Sequence, residues 1–183
     1  MLRFLCLSFA VIVMPLTAYA QVLILGGGAG QDCYQAVKFN LFPSARHERI
    51  CTEAIEAGAL DRKNLAGTYI NRGIIRMRMQ SYEAALGDYA KAERLTPNSG
   101  PLHLNKGAAL IGARDFDTAL ISLNQAIALE TQDPHAAHYN LGLAYEHLGQ
   151  ADLAYQSYQT ALELRPDWSL PTKALERFTV TRE

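Results

Sequence analysis

Three glycines, Gly73, Gly107 and Gly142, stand 34 and 35 residues apart. Ala85, Ala119 and Ala154 follow them at a spacing of twelve, and Ala92, Ala126 and Ala161 follow those by seven. Tyr89, Leu123 and Tyr158 fall between the alanines. Pro97 and Pro166 close the first and third units, with Thr131 at that place in the second. A fixed period of this length marks a stacked array of supersecondary units, none of which buries its apolar face alone.

Within each unit the apolar spacing is helical. In the third, Ala137, Leu141, Ala144, Tyr145 and Leu148 recur at three- and four-residue intervals. After Gly149-Gln150, Leu153, Ala154, Tyr158, Ala161 and Leu162 do so again. Turns at Gln80-Ser81 and Ala113-Arg114 divide the other two units in the same way. Ser81 and Asp115 are placed to cap second helices, and Asp133-Pro134 supplies an N-cap followed by an N1 proline. No segment sustains a period-2 pattern, so an all-α array with no sheet is expected. Two helices of a hairpin approach closely only where the contact side chains are small, which is the task of the recurring Gly and Ala.

This pattern resembles the tetratricopeptide repeat family. The third unit carries it most fully, with Asn140-Leu141-Gly142, Tyr145, Ala154, Tyr158, Ala161 and Pro166. The first has Tyr69, Gly73, Ala85, Tyr89, Ala92 and Pro97; the second has Leu102 to Gly107, Ala119, Leu123 and Ala126. Arg72 and Lys106 stand where the motif prefers Leu, Arg76 where it prefers Tyr, and Thr131 where it prefers Pro. The resemblance implies a right-handed helix-turn-helix solenoid of three repeats (66–99, 100–133 and 135–168) that binds a peptide or protein segment in its concave groove.

It also implies which residues line that groove. Asn71, Asn105 and Asn140 would face it from the first helix of each repeat, where an amide can donate to and accept from a bound main chain at once. The alternative is that they bond the neighbouring repeat. Ile70, Ile74, Met77 and Arg78 would line the first repeat's groove. Leu104, Ala108 and Ile111 would follow in the second, then Tyr139, Leu143, Glu146 and His147 in the third. Equally, Ile70 and Ile74 would be covered by a helix over Ser44 to Glu56. Arg72 lies sixteen residues before Asp88, a separation that sets them opposite each other across a hairpin as a structural ion pair; a site for an acidic partner is the second reading.

Both ends are expected to be caps with polar outer faces. At the C-terminus (169–183), Leu170, Ala174, Leu175 and Phe178 would share the apolar face of a short helix. At the N-terminus (32–65), Ser44 to Glu56 reads as a helix and as the remnant of a degenerate repeat.

The first twenty residues have the form of an address. Met1-Leu2-Arg3 is a short basic start, Phe4 to Met14 is an apolar run broken only by Ser8, and Ala18-Tyr19-Ala20 supplies an A-x-A site. That combination is expected of a secretory signal peptide (1–20) cut after Ala20. The run is too short to span a bilayer, so no stable membrane span is expected after cleavage. Residues 21–31, with Gly26-Gly27-Gly28-Ala29-Gly30, are expected to be a flexible linker. A dinucleotide fingerprint would need a glycine where Gln31 stands and a following βαβ unit. Removal of the leader leaves Cys33 and Cys51, an even pair bound for an oxidising compartment, and hence a candidate disulfide. Such a bridge stabilises by roughly 3 kcal/mol in the chain-entropy account; the alternative is two buried thiols.

Little points to chemistry. Seventeen basic and eighteen acidic residues give a net charge of −1, with no excess of cations for nucleic acid. His47, His103, His135, His138 and His147 form no metal-ligand spacing with Cys or carboxylates, and neither HExxH nor GxSxG occurs. The expectation is an exported, periplasmic, non-catalytic scaffold without cofactor or metal, whose partner is a protein or peptide. An accessory subunit of a cell-envelope enzyme complex is the alternative.

Overall fold

A computed structural model describes residues 2–6, 28–39 and 42–182. Its elements are β1 (Leu2–Cys6), α1 (Ala29–Lys38), α2 (Ala45–Glu56), α3 (Arg62–Arg78), α4 (Tyr82–Leu95), α5 (Gly100–Gly112), α6 (Phe116–Ala128), α7 (Pro134–His147), α8 (Ala151–Leu164), α9 (Ser169–Leu175) and β2 (Phe178–Arg182). The pairs α3/α4, α5/α6 and α7/α8 are the three repeats, and they make the most extensive contacts in the fold. Each second helix also packs on the next first helix, and α3, α5 and α7 touch in series as an inner layer.

The periodic glycines are the closest points of each hairpin. A Cβ at Gly107 would lie 2.6 Å from Leu123 Cδ2, and one at Gly73 or Gly142 would fall into the ring of Tyr89 or Tyr158. Each glycine therefore faces the large residue sixteen positions on, so that the small and the large member of each repeat are a matched pair. The alanines at 85, 92, 119, 126, 154 and 161 are fully buried beside them.

The hairpin turns repeat as well. Gln80, Arg114 and Gly149 adopt φ of 62°, 64° and 73°. The next amide reaches back five residues: Ser81 N–H to Arg76 O at 2.8 Å, Asp115 to Leu110 and Gln150 to Tyr145 both at 2.9 Å. This is the Schellman closure of a helix C-terminus. The second repeat ends in the same closure, with Glu130 at φ 51° and Thr131 N–H donating to Ala126 O at 3.1 Å. That explains Thr131: a proline has no N–H to give. Asp115 accepts from Thr118 N–H at 3.3 Å as expected, whereas Ser81 and Asp133 hold N-cap positions without a side-chain cap bond.

Cys33 and Cys51 are joined by a disulfide that ties α1 to α2. Both helices pack on α3. Ser44 caps α2 reciprocally with His47, its N–H donating to Nδ1 at 3.0 Å.

Four expectations need correction. The linker ends early, because α1 begins at Ala29 and includes Gly30 and Gln31; residues 21–27 lie outside the described residues, as do 7–20 of the leader. The first repeat's helix starts a turn before residue 66, since Asp61 caps it by accepting from Asn64 N–H at 2.8 Å. A small sheet exists: β1 and β2 pair antiparallel, Leu2 opposite Arg182 and Cys6 opposite Phe178, so α9 stops at Leu175 and Phe178 opens a strand. Phe178 still packs on the C-terminal repeat, its ring edge-on to Tyr155 and Tyr158 at 5.8 and 6.1 Å. Finally, the outer face of the N-terminal end is not uniformly polar: Phe39 and Phe42 are 70% and 92% exposed among its charged residues.

Candidate functional site: the inner face of the repeats

The first helices α3, α5 and α7 carry the proposed groove residues at equivalent positions. Ile70, Leu104 and Tyr139 stand three before each periodic glycine; Ile74, Ala108 and Leu143 stand one after. They form two rows across the inner layer. All six are buried, none more than 6% exposed, and so are Met77 and Ile111. Ile70, Ile74 and Met77 belong to one core cluster with Cys33, Ala36, Val37 and Cys51. The N-terminal hairpin therefore covers them, and α1 contributes as much of the cover as the expected Ser44–Glu56 helix. Leu104, Ile111, Tyr139 and Leu143 belong to the second cluster, around Leu123 and Tyr158.

The asparagine ladder is internal as well. Asn71, Asn105 and Asn140 have no exposed surface, and Asn105 Nδ2 donates to Pro101 O, one turn back on its own helix, at 2.8 Å. In this conformation these amides do not meet solvent. Arg78 donates through Nη1 to Val37 O at 2.8 Å and so caps the end of α1 instead of lining a trough.

The rim is polar and spoken for. Glu146 accepts from Tyr158 Oη at 2.7 Å and from Arg177 Nε and Nη2 at 3.0 and 2.6 Å. This bond to Glu146 holds the Arg177 guanidinium above its ordinary value. Burial pushes the Tyr139 phenol up to about 12; burial and the Glu146 carboxylate drive Tyr158 up as well. His147 is exposed and stacks on Phe116, ring centroids 4.6 Å apart. His135 meets Trp168 edge-on at 5.1 Å, and its Nε2 lies 3.2 Å from Arg165 Nη1. Partial burial lowers the pKa of His135, His138 and His147, favouring neutral rings. Among the described residues no group of three His, Cys, Asp or Glu side chains is arranged to hold a metal, and no helix is long and apolar enough to cross a membrane.

Arg72 and Asp88 do pair across the first hairpin, but the pair is buried, not exposed. Arg72 Nε and Nη2 grip both carboxylate oxygens of Asp88 at 2.9 and 2.7 Å. Arg76 Nη1 adds a third bond at 2.8 Å. Two residues of α2 complete the cluster: Thr52 Oγ1 accepts from Arg72 Nη1 at 3.0 Å, and Glu48 Oε1 from Arg76 Nε at 2.8 Å. Burial opposes the Arg72 charge, yet the Asp88 bonds and charge outweigh it and hold its pKa above the usual value. Arg76, seen in the sequence only as a departure from Tyr, is part of this cluster. Its signal was the chain of cations at 72 and 76 facing the single acid at 88, with Glu48 and Thr52 one turn apart upstream.

Comparison with known proteins agrees with this architecture. The tetratricopeptide repeat pattern matches residues 135–167. The peptidyl-prolyl cis-trans isomerase FKBP42 of Arabidopsis thaliana is 31% identical over 134 residues, 67% of this chain but 36% of the relative, so the chain spans little more than a third of that protein. Among solved structures, YrrB, described as a TPR protein with an unusual peptide-binding site, superposes with a TM-score of 0.64, at 20% identity over 80% of this chain and 71% of that one. The first repeat domain of Spaghetti (RPAP3), solved with the HSP90 peptide SRMEEVD, gives 0.59 at 24% identity over 63% and 90%. Likeness at these identities establishes the fold.

Proposed function

Since the chain is a tetratricopeptide-repeat protein, we propose that it is an exported, non-catalytic scaffold that holds a segment of a partner protein along the inner face of its repeats. The observation that carries this reading is the inner layer of three first helices, α3, α5 and α7, touching in series. The apolar rows of that layer are already buried, Ile70 and Ile74 beneath the N-terminal hairpin, so a partner's extended or helical segment docks along the rim that flanks them. Two solved proteins of the same fold are described with a peptide or a peptide-binding site, which supports the fold's capacity for such use. The basic start, apolar run and A-x-A site support export, with the periplasm as destination. Cleavage after Ala20 would also take β1 away from β2 and from α8, against which β1 lies.

Two measurements test the proposal. Mass spectrometry of the chain from fractionated cells is expected to find Gln21 as the first residue, in the periplasmic fraction. A photocrosslinker placed at His147, on the rim, is expected to trap one partner reproducibly. A crosslinker at Ile121, exposed on α6, is expected not to trap it. Equal trapping from α6 would remove the inner face from the reading.

A further inference from the structure

An array end is normally sealed by a cap with a polar outer face. The N-terminal end of this one is not. Phe39 ends α1 and Phe42 follows in the turn to α2, at 70% and 92% exposure. Beside them the hairpin encloses an open groove of about 760 Å³. Ala29, Ala36, Phe39 and Ile50 give it apolar lining, and Asp32, Glu53 and Arg46 give its edge both signs of charge. Elsewhere the hairpin is firmly built: the disulfide is buried, and Val37, Cys51 and Ala54 face the core.

We propose that this end is a self-association surface, where a second copy of the chain docks head to head across a two-fold axis, each copy seating its Phe42 ring in the other's groove. Three observations select this occupant. A projecting ring and a groove able to receive one lie side by side on a single surface, the arrangement an isologous interface requires. The mixed charge of the edge suits its own two-fold copy, in which each sign meets the other. An anionic membrane or an acidic peptide would meet Asp32 and Glu53 as well as Arg46. The area also sets the strength. Two phenylalanines at these exposures offer roughly 250–400 Å² per copy, on the order of 500–800 Å² from both. That is about half of a standard stable interface, so the dimer is a weak, concentration-dependent one. Docked in this way, two solenoids present their repeats as one longer object with two inner faces.

Sedimentation of the purified chain from about 1 to about 200 µM, with its N-terminus read by mass spectrometry, is the test. A monomer–dimer equilibrium is expected. Phe42→Ser and Phe39→Ser should each weaken it by about tenfold or more with unchanged helical circular dichroism, since neither ring supports the core. Ile121→Ser, at another exposed apolar site, should leave it intact. A chain monomeric throughout, a dimer indifferent to both phenylalanines, or species that grow beyond two with concentration would each overturn the proposal. So would Phe42-dependent flotation of the monomer with phosphatidylglycerol vesicles, which would give the rings to a lipid surface. Crosslinking from His147 reads the inner face separately, so either result stands without the other.

Discussion

The first and third repeats share one backbone plan and are held together by different chemistry. Position for position, Arg72, Arg76 and Asp88 of the first correspond to Leu141, Tyr145 and Ser157 of the third. The first repeat sets three charges in that space, Arg72 and Asp88 buried and Arg76 partly so, joined by Glu48 and Thr52 from α2. The third fills its surroundings with rings: Tyr139 lies 5.6 Å from Tyr158 and 5.0 Å from Trp168, and Tyr158 touches Phe178. What does not change is the close approach, Gly73 to Tyr89 and Gly142 to Tyr158. The backbone of a repeat is thus fixed by its small residues, and the remaining positions are free to suit whatever packs next. At the N-terminal end that neighbour is a polar-faced helix bound by a disulfide; at the C-terminal end it is α9 and Phe178.

The largest expected effect tests the charge cluster. Asp88→Ala leaves the buried Arg72 and the half-buried Arg76 without their shared carboxylate and should cost about 3–5 kcal/mol in denaturant titration. Ser157→Ala at the matching place should cost under about 1 kcal/mol. Replacing the whole set, Arg72→Leu with Arg76→Tyr and Asp88→Ser, should recover most of the loss, because an apolar filling of similar volume is often as stable as a buried ion pair. Equal losses for Asp88→Ala and Ser157→Ala would erase the distinction between the two repeats.

Next in size is the disulfide. Cys33→Ala with Cys51→Ala should lower stability by roughly 3 kcal/mol. The loss should be local: hydrogen exchange should speed up in α1, α2 and α3 while α7 and α8 keep their protection. Uniform loss of protection would show that the two ends unfold as one.

Alkaline pH probes the aromatic end. An unfolded tyrosine ionises near 10, whereas folded Tyr139 holds its proton to about 12. Stability from that group is therefore complete below pH 10 and is lost as pH rises from 10 toward 12, by on the order of 2 kcal/mol. Tyr158 shifts in the same direction and deepens the loss. Tyr139→Phe should flatten this part of the profile. Tyr89 of the first repeat serves as the internal comparison, since Tyr89→Phe should leave the dependence assigned to Tyr139 in place.

These contrasts also explain what could be read from the residues in order. Period, hairpins and the Gly–Ala contacts were legible because each is a local spacing repeated three times. The Cys33–Cys51 bridge was legible from parity and from the export expected of the leader, and the Arg72–Asp88 pair from its separation of sixteen. The burial of that pair was not, because it depends on α2 arriving from outside the repeat. The groove was the least legible part. Position within a repeat says which face a side chain occupies, but Ile70, Ile74 and Met77 are covered by α1, whose docking is set by a disulfide and by the bond from Arg78 to Val37 O. Nor does the sequence mark β1, since Leu2–Cys6 has no alternation and its pairing with β2 joins the two extremes of the chain.

The smallest expected effect separates the repeats at a single backbone position. Gly149 supplies the left-handed turn of the third repeat, while Gln80 and Arg114 supply it in the first two with side chains that resist that conformation. Gly149→Ala should therefore cost about 1 kcal/mol, the usual penalty for a Cβ at positive φ. Its Cβ would meet nothing within 4 Å, so the cost isolates backbone conformation from packing. Gln80→Gly and Arg114→Gly should move the other way by up to about 0.5 kcal/mol, because relief of the turn is offset by the greater freedom glycine gives the unfolded chain. The same Schellman bond closes all three turns, so differences among the three variants report the residue alone. Should Gly149→Ala prove neutral while Gln80→Gly destabilises, the shared backbone plan would have to include a side-chain role for position 80.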